Sequence, residues 1–282
     1  QLSSDAPVSI AGIRMSNGVL TPGAVINVSK NKIFDLTINN SSNSGTYTVS
    51  GIEITSTIIG TTYNISNNLV GDLKAPLSDG INVVRGINMN TATAPGTNTY
   101  NIYYNTVYLN ASSAAANFGS SALFMIASGT TSAGTGVIRN NIFVNVSTPS
   151  GIGLTVAYRR NGALPGNFST LSNNNIYYAG VPSASRLLYY DGTNSNQTLS
   201  AYKALVTPRD AGAYTELPPF LSTSGISPNF LHIDPAVPTQ VESGAVNISG
   251  YTDDYDGNIR QGNTGYSGTG TAPDVGADEV EG

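Results

Sequence analysis

The sequence predicts an all-β chain built as a parallel β-helix, a solenoid, closed by an irregular C-terminal cap. Three observations carry that prediction: a repeat of about 36 residues, a polar composition that avoids charge, and a change of character near residue 190. Of 282 residues only 10% are charged, and Asn, Ser, Thr and 31 Gly take their place. A typical soluble domain carries roughly 25% charged residues. Amide and hydroxyl side chains favour turns and strands over helix interiors. The chain has no Cys, no Trp and one His. That excludes a disulfide scaffold, a thiol nucleophile and a multi-His zinc site. No apolar run approaches the roughly 20 residues of a membrane-spanning helix, so no membrane span is expected.

The repeat is the strongest signal. Five segments place an aliphatic residue two positions after an Asn: Asn31 to Ile33, Asn67 to Leu69, Asn105 to Val107, Asn140 to Ile142 and Asn174 to Ile176. Their spacings are 36, 38, 35 and 34. In a solenoid whose turns stack at about 4.8 Å, equivalent residues fall into columns. The five aliphatics are then expected to form an inward column. Asn31, Asn67, Asn105, Asn140 and Asn174 form an Asn ladder at a corner, where Asn tolerates the left-handed backbone and stacked amides bond along the axis. Phe34, Val70, Tyr108, Phe143 and Tyr177 follow by one residue and are expected to face outward.

The second half of each repeat also reads as a strand. Val49–Ile54 matches Val84–Met89 at an offset of 35. Ala122–Ile126, Leu154–Tyr158 and Leu187–Tyr190 take the corresponding places later. All are short, β-branched or aromatic, and bounded by Gly, Asn, Ser and Pro. The repeat count suggests about five to seven turns over residues 1–190. Ahead of the regular turns, residues 1–13 carry the strand-like run Val8-Ser9-Ile10 and read as an extended joining element.

Residues 191–282 break the pattern and form the expected cap. Leu199–Leu205 is a short helix candidate after Thr198 as N-cap, with Leu199, Tyr202 and Leu205 on one face and Pro208 ending it. An extended segment follows around Phe230–Ile233. Charge is split along the chain: residues 1–190 hold nine bases against five acids, and residues 191–282 three bases against twelve acids. No basic stripe exists in either part, so nucleic-acid binding is not expected.

The Asn-x-aliphatic coils, with Asp253-Asp-Tyr-Asp-Gly-Asn-Ile-Arg260 and Pro273-Asp-Val-Gly-Ala-Asp-Glu279, resemble the right-handed parallel β-helix repeat domains of bacterial secreted and surface proteins. These belong to the broad pectin-lyase-like superfamily, many of whose members end in a D-x-D-G-x-x-R…P-D-V-G-A-D-E type of motif. The resemblance implies a right-handed coil and an extracellular or cell-surface location. It does not imply one activity, because the superfamily holds lyases, hydrolases and adhesins. Its catalytic sets do not map onto this sequence. The expectation is a non-enzymatic structural or adhesive protein, with itself as partner in a homo-oligomer or filament, or with surface glycans. The alternative is a polysaccharide-binding or polysaccharide-degrading domain.

Several residues stand out as candidate sites. Asp35 and Asp72 occupy equivalent parts of successive turns and are the nearest thing to a carboxylate pair. Tyr158-Arg159-Arg160 is the one basic cluster; with Tyr108, Phe143 and Tyr177 it makes up the candidate binding set for acidic or neutral sugars. Arg260 is expected to pair with Asp274, Asp278 or Glu279 and staple the cap. Asp254, Asp256 and Asn258 alternate around Gly257 as in a calcium loop, without its bidentate Glu, so Ca²⁺ is the one cofactor the sequence suggests. His232 lies between hydrophobic residues and receives no role.

Overall fold

The computed structural model describes residues 2–4, 8–16, 22–39, 47–56, 58–90, 96–130 and 133–281. The chain winds as a parallel β-helix of about four turns. One long sheet stacks Ile10–Met15, Val49–Ile54, Gly80–Met89, Phe118–Met125, Thr155–Arg160 and Arg186–Tyr190 in chain order, every pair parallel. A second sheet stacks Val25–Ser29, Thr62–Ser66, Gly96–Tyr103 and Ala133–Arg139. A third stacks Lys32–Ile33, Leu69–Gly71, Thr106–Leu109, Ile142–Asn145 and Ile176–Tyr178. A small fourth sheet pairs Leu2–Ser4, Leu36–Ile38 and Leu73–Lys74.

The number of turns is below the five to seven expected. Only four turns place strands in all three main sheets. In the fifth, single bridges from Phe168 to Gly136 and from Asn173 to Arg139 replace the second-sheet strand. The N-terminal stretch is not a free arm either. Leu2–Ser4 pairs with Leu36–Ile38, and Ile10–Met15 pairs with Val49–Ile54, so both belong to the first turn; residues 1 and 5–7 lie outside the described residues.

The long sheet is aligned as the second-half repeats predict, with Val49 opposite Val84 and Ile54 opposite Met89. The third sheet is shifted by one residue from the Asn-x-aliphatic alignment. Ile33 pairs with Val70, Val70 with Val107, Val107 with Phe143 and Phe143 with Tyr177. These five point into the coil and are buried in its core. Leu69, Ile142 and Ile176 are buried on the opposite face, outside the coil and under the C-terminal segment. A strand alternates faces with period two, so a slip of one residue exchanges inside for outside. Of the expected outward stripe, Phe34 and Tyr108 remain outside, against Phe230 and Phe220. Val70, Phe143 and Tyr177 are interior.

The interior narrows toward the first turns. A Cβ on Gly51 would lie 2.2 Å from Val70 Cγ1, and one on Gly86 2.3 Å from Val107 Cγ1. Glycine is needed there because the third-sheet aliphatics touch the long-sheet backbone. Toward the far end Ala122, Ala157 and Leu188 take these positions, and aromatic rings fill the coil. Tyr158 and Tyr177 stack at 6.1 Å, and Tyr202 packs on Tyr177 at 5.3 Å.

The far end is closed. Ser195–Asn196 adds an antiparallel strand to the long sheet. The helix Leu199–Val206 follows, and the Thr198 hydroxyl accepts from the Ala201 N–H as expected of an N-cap. Its buried face is Tyr202 and Val206, whereas Leu205 is exposed. The expected Leu199–Tyr202–Leu205 face is thus shifted by one residue at its end. From Tyr214 onward the chain forms a strap that runs back over the outer face of the third sheet.

Candidate functional site

Two Asn columns run side by side along one corner. The inner column is Asn31, Asn68, Asn105, Asn141 and Asn175, so the ladder is not the expected set. Each link is double: Asn31 N and Nδ2 donate to Asn68 Oδ1 at 3.1 and 2.9 Å, and Asn105 N and Nδ2 to Asn141 Oδ1 at 2.9 and 2.9 Å. Asn68 donates in the same way to Asn105, and Asn141 to Asn175. Every link points from the first turn toward the last, so the ladder has a direction.

Asp210 ends it. Its Oδ1 accepts from Asn175 Nδ2 at 2.8 Å, and its Oδ2 from the Tyr177 and Tyr202 hydroxyls at 3.0 and 2.5 Å. A carboxylate only accepts, so it terminates a chain of donors without leaving one unpaired. Burial raises the Asp210 carboxyl above its ordinary range, against the lowering effect of those three donors. It raises the Tyr177 and Tyr202 phenols well above theirs.

The outer column is Lys30, Asn67, Tyr104, Asn140 and Asn174, all with φ between 53° and 59°. Here the expected residues Asn67, Asn140 and Asn174 make the corner and hold the strap. Asn174 Nδ2 donates to Gly244 O, Asn140 Nδ2 and the Tyr104 hydroxyl to Val246 O, and Asn67 Nδ2 to Asp253 O. Lys30 Nζ bonds Asp253 Oδ2 at 2.6 Å.

Arg260 locks the strap at its centre. It is wholly buried and lies 4.0 Å over the Tyr104 ring. Its Nη1 donates to Glu279 Oε2 at 3.0 Å and to Asp274 O, and its Nη2 to Asn67 Oδ1 and Gly276 O. The expected ion pair is therefore with Glu279. Asp274 and Asp278 serve differently: Asp274 accepts the Ser243 and Val280 N–H groups, and Asp278 accepts that of Ile233. Burial pushes Asp274 up to about 8, with the Glu279 charge adding, and Asp278 up to about 6.

The calcium-loop arrangement does not assemble around Asp254. Its Oδ1 accepts three N–H groups, from Asp256, Gly257 and Asn258, and its Oδ2 accepts that of Glu279. Asp256 turns away to His232 Nε2 at 2.7 Å. Asn258 contributes its carbonyl to the Asp254 N–H. His232, given no role by the sequence, is thus part of the cap's polar framework. Its pKa is raised by Asp256, by Asp278 and by the Phe230 carbonyl, against the lowering effect of burial.

The basic cluster divides. Tyr158 is in the core, and Arg160 is buried beneath its loop, donating to Leu164 O, Asn167 Oδ1 and the Tyr158 hydroxyl. Arg159 faces outward on the long sheet, 5.0 Å over the Tyr190 ring, beside Arg85, which lies 4.4 Å over Phe124. These four side chains line an open groove of about 310 Å³ with Ile81 and Asn82. The Arg85 pKa falls to about 10, from burial first and the neighbouring Arg159 second. Asp35 and Asp72 do come together, as their equivalent positions suggest. Both have left-handed backbones and share Lys74 Nζ at 3.0 and 2.9 Å.

Sequence reasoning missed Asn68, Asn141, Asn175 and Asp210. Each of those Asn residues is the later member of an Asn-Asn pair, and Asp210 falls 35 positions after Asn175, one more repeat interval. The fold and these sites define a parallel β-helix with an axial Asn ladder and a strapped outer face. Comparison of the chain with protein-family models, curated proteins and solved structures found no match.

Proposed function

We propose that this chain is a non-enzymatic structural or adhesive module of the pectin-lyase-like kind, exposed at a bacterial cell surface, that associates with further copies of itself through the first-turn end. One observation carries the reading: the two ends of the coil differ. The last turn is closed by Asp210, the helix and an antiparallel strand. At the first turn, Ile10–Met15, Val25–Ser29 and Lys32–Ile33 each have a single neighbouring strand among the described residues. Asn31 Oδ1 receives no donor from them, and Val25, at the start of the second-sheet edge strand, is 60% exposed. Open strand edges pair with other chains unless charged or covered. An extended segment of a second copy laid along this edge supplies the N–H groups that the ladder's direction requires.

Sedimentation and electron microscopy of the purified chain test this. Association should rise with concentration and survive high salt, since the edge is joined by backbone hydrogen bonds and not by ion pairs. Val25→Lys should weaken it while leaving the fold intact. The polysaccharide reading keeps one specific support, the groove of Arg85, Phe124, Arg159 and Tyr190, whose guanidinium and ring surfaces suit acidic sugars. A chain that stays monomeric at every concentration and binds oligouronates in an Arg159-dependent way would favour that alternative.

A further inference from the structure

The one His of the chain sits with two carboxylates in a set of potential metal donors. His232, Asp256 and Asp278 come from three separate stretches of the strap, and one ligand atom from each lies within 4.8 Å of the others. The imidazole is oriented from behind. Its Nδ1 lies 3.1 Å from Phe230 O, which can only accept, so Nδ1 carries a proton. Nε2 then points at Asp256 Oδ2 at 2.7 Å. A bare imidazole lone pair and a carboxylate oxygen do not approach so closely without a cation between them. At 2.7 Å that cation is a second ring proton, and a metal ion that takes this nitrogen and oxygen as donors displaces the proton and moves the two atoms apart.

We propose that His232, Asp256 and Asp278 bind a divalent transition-metal ion of the zinc type, which staples three stretches of the strap together. The donor set is one imidazole nitrogen and two carboxylate oxygens, a combination zinc accepts and one too poor in oxygen for calcium, which takes six to eight. Two of the three ligands have orienting partners of the kind metal ligands have: the Phe230 carbonyl for His232 and the Ile233 N–H for Asp278, at 2.7 Å. The Tyr255 ring meets the imidazole edge-on at 6.0 Å and limits its rotation. Ligands bound to one tetrahedral zinc lie about 3.3 Å apart, given bond lengths near 2.05 Å. Asp256, whose side chain is 44% exposed, has room to draw back, and its side of the site opens to water for the remaining position. Asp254 is excluded as a fourth ligand because four N–H groups occupy its two oxygens.

The test is calorimetric titration of the full chain with zinc chloride after chelator treatment, with thermal unfolding in parallel. The expected result is one ion per chain and a higher unfolding temperature, reversed by chelator. Asp256→Asn and His232→Gln should each weaken binding by more than about 100-fold, since loss of a partner behind a ligand alone costs 10–100-fold. Asp256→Asn is on the surface and keeps the test valid if His232→Gln fails to fold. No saturable zinc binding would overturn the proposal, as would undiminished binding by Asp256→Asn, or tighter binding of calcium than of zinc.

Discussion

Replacing Arg260 with Ala tests the strap directly, and its cost follows from the contacts. The guanidinium is wholly buried, and its carboxylate partner Glu279 has only 4% of its side chain exposed. Surface screening therefore does not dilute this pair. Removing one member of a buried pair costs about 3–5 kcal/mol, mainly because the other charge is left without compensation. The carbonyls of Asp274 and Gly276 and the Asn67 side chain lose a donor at the same time. For a chain of this size the change corresponds to a fall of about 6–10 °C in unfolding temperature, at about 2 °C per kcal/mol.

The pH dependence of that cost identifies its cause. Burial already raises the Glu279 carboxyl above its ordinary range even with Arg260 beside it. Without Arg260 it takes up a proton more readily, and a neutral carboxylic acid has little need of the missing cation. Arg260→Ala should then cost less at pH 5 than at pH 8. Arg260→Lys should fall between wild type and Ala, since an ammonium keeps the charge but not the fork of donors. Hydrogen exchange should place the loss in residues 253–279 and at the Asn67 corner, with the long sheet still protected. A cost below about 1 kcal/mol, far under that of a broken buried pair, would refute the argument. So would a loss spread evenly over the long sheet.

Two further predictions follow from the ladder and the acid cluster. Asn105→Ala should cost about 3 kcal/mol in denaturant unfolding, because buried N–H and C=O groups in two turns lose partners, whereas Asn31→Ala at the open end should cost under about 1; equal costs would show that the ladder is not a stabilising unit. Stability should fall as pH rises from about 4 to about 8, since Asp274 is held near 8 in the folded chain and stays protonated there while its unfolded counterpart ionises. The limiting slope is about 1.4 kcal/mol per pH unit for one such group, and the raised Asp278, Glu279 and His232 act in the same direction. Unfolding temperatures measured from pH 5 to 9 check the sign, and Asp274→Asn should flatten the curve.

How far the sequence could be read depended on which contacts repeat. The turn-to-turn contacts of the coil recur every 34 to 38 residues, so they leave a period in Asn and in aliphatic residues. Period alone does not fix register. Where Asn67-Asn68, Asn140-Asn141 and Asn174-Asn175 offer two adjacent amides, either one satisfies the spacing. The choice between them rests on a geometric fact absent from the sequence: the residue at the corner needs a positive φ, and its neighbour must point inward to reach the next turn. Choosing the earlier Asn as the ladder moved Leu69, Ile142 and Ile176 inside and Phe143 and Tyr177 outside. The Arg260 pair was legible for a different reason. A lone cation amid a run of acids in a Gly-rich segment has few ways to be buried except against one of them.

The strap left no period because its contacts with successive turns fall at irregular intervals and on different residue types. Gly244 takes Asn174 from the fifth turn, Val246 takes Asn140 and Tyr104, and Asp253 takes Asn67 and Lys30 from the second and first. Over residues 244–253 chain order thus runs opposite to turn order in the coil. Four inter-turn steps of about 4.8 Å make about 19 Å. The nine steps from residue 244 to residue 253 reach about 30 Å when fully extended, so they span the distance with room for the bends between contacts. The strap therefore acts as a gauge as well as a cover. It bonds the corner column of every turn from the last to the first. A coil with one turn more or fewer would displace these corner contacts from their carbonyls by one stacking distance. The number of turns in the rod is in this way tied to a segment that belongs to none of them.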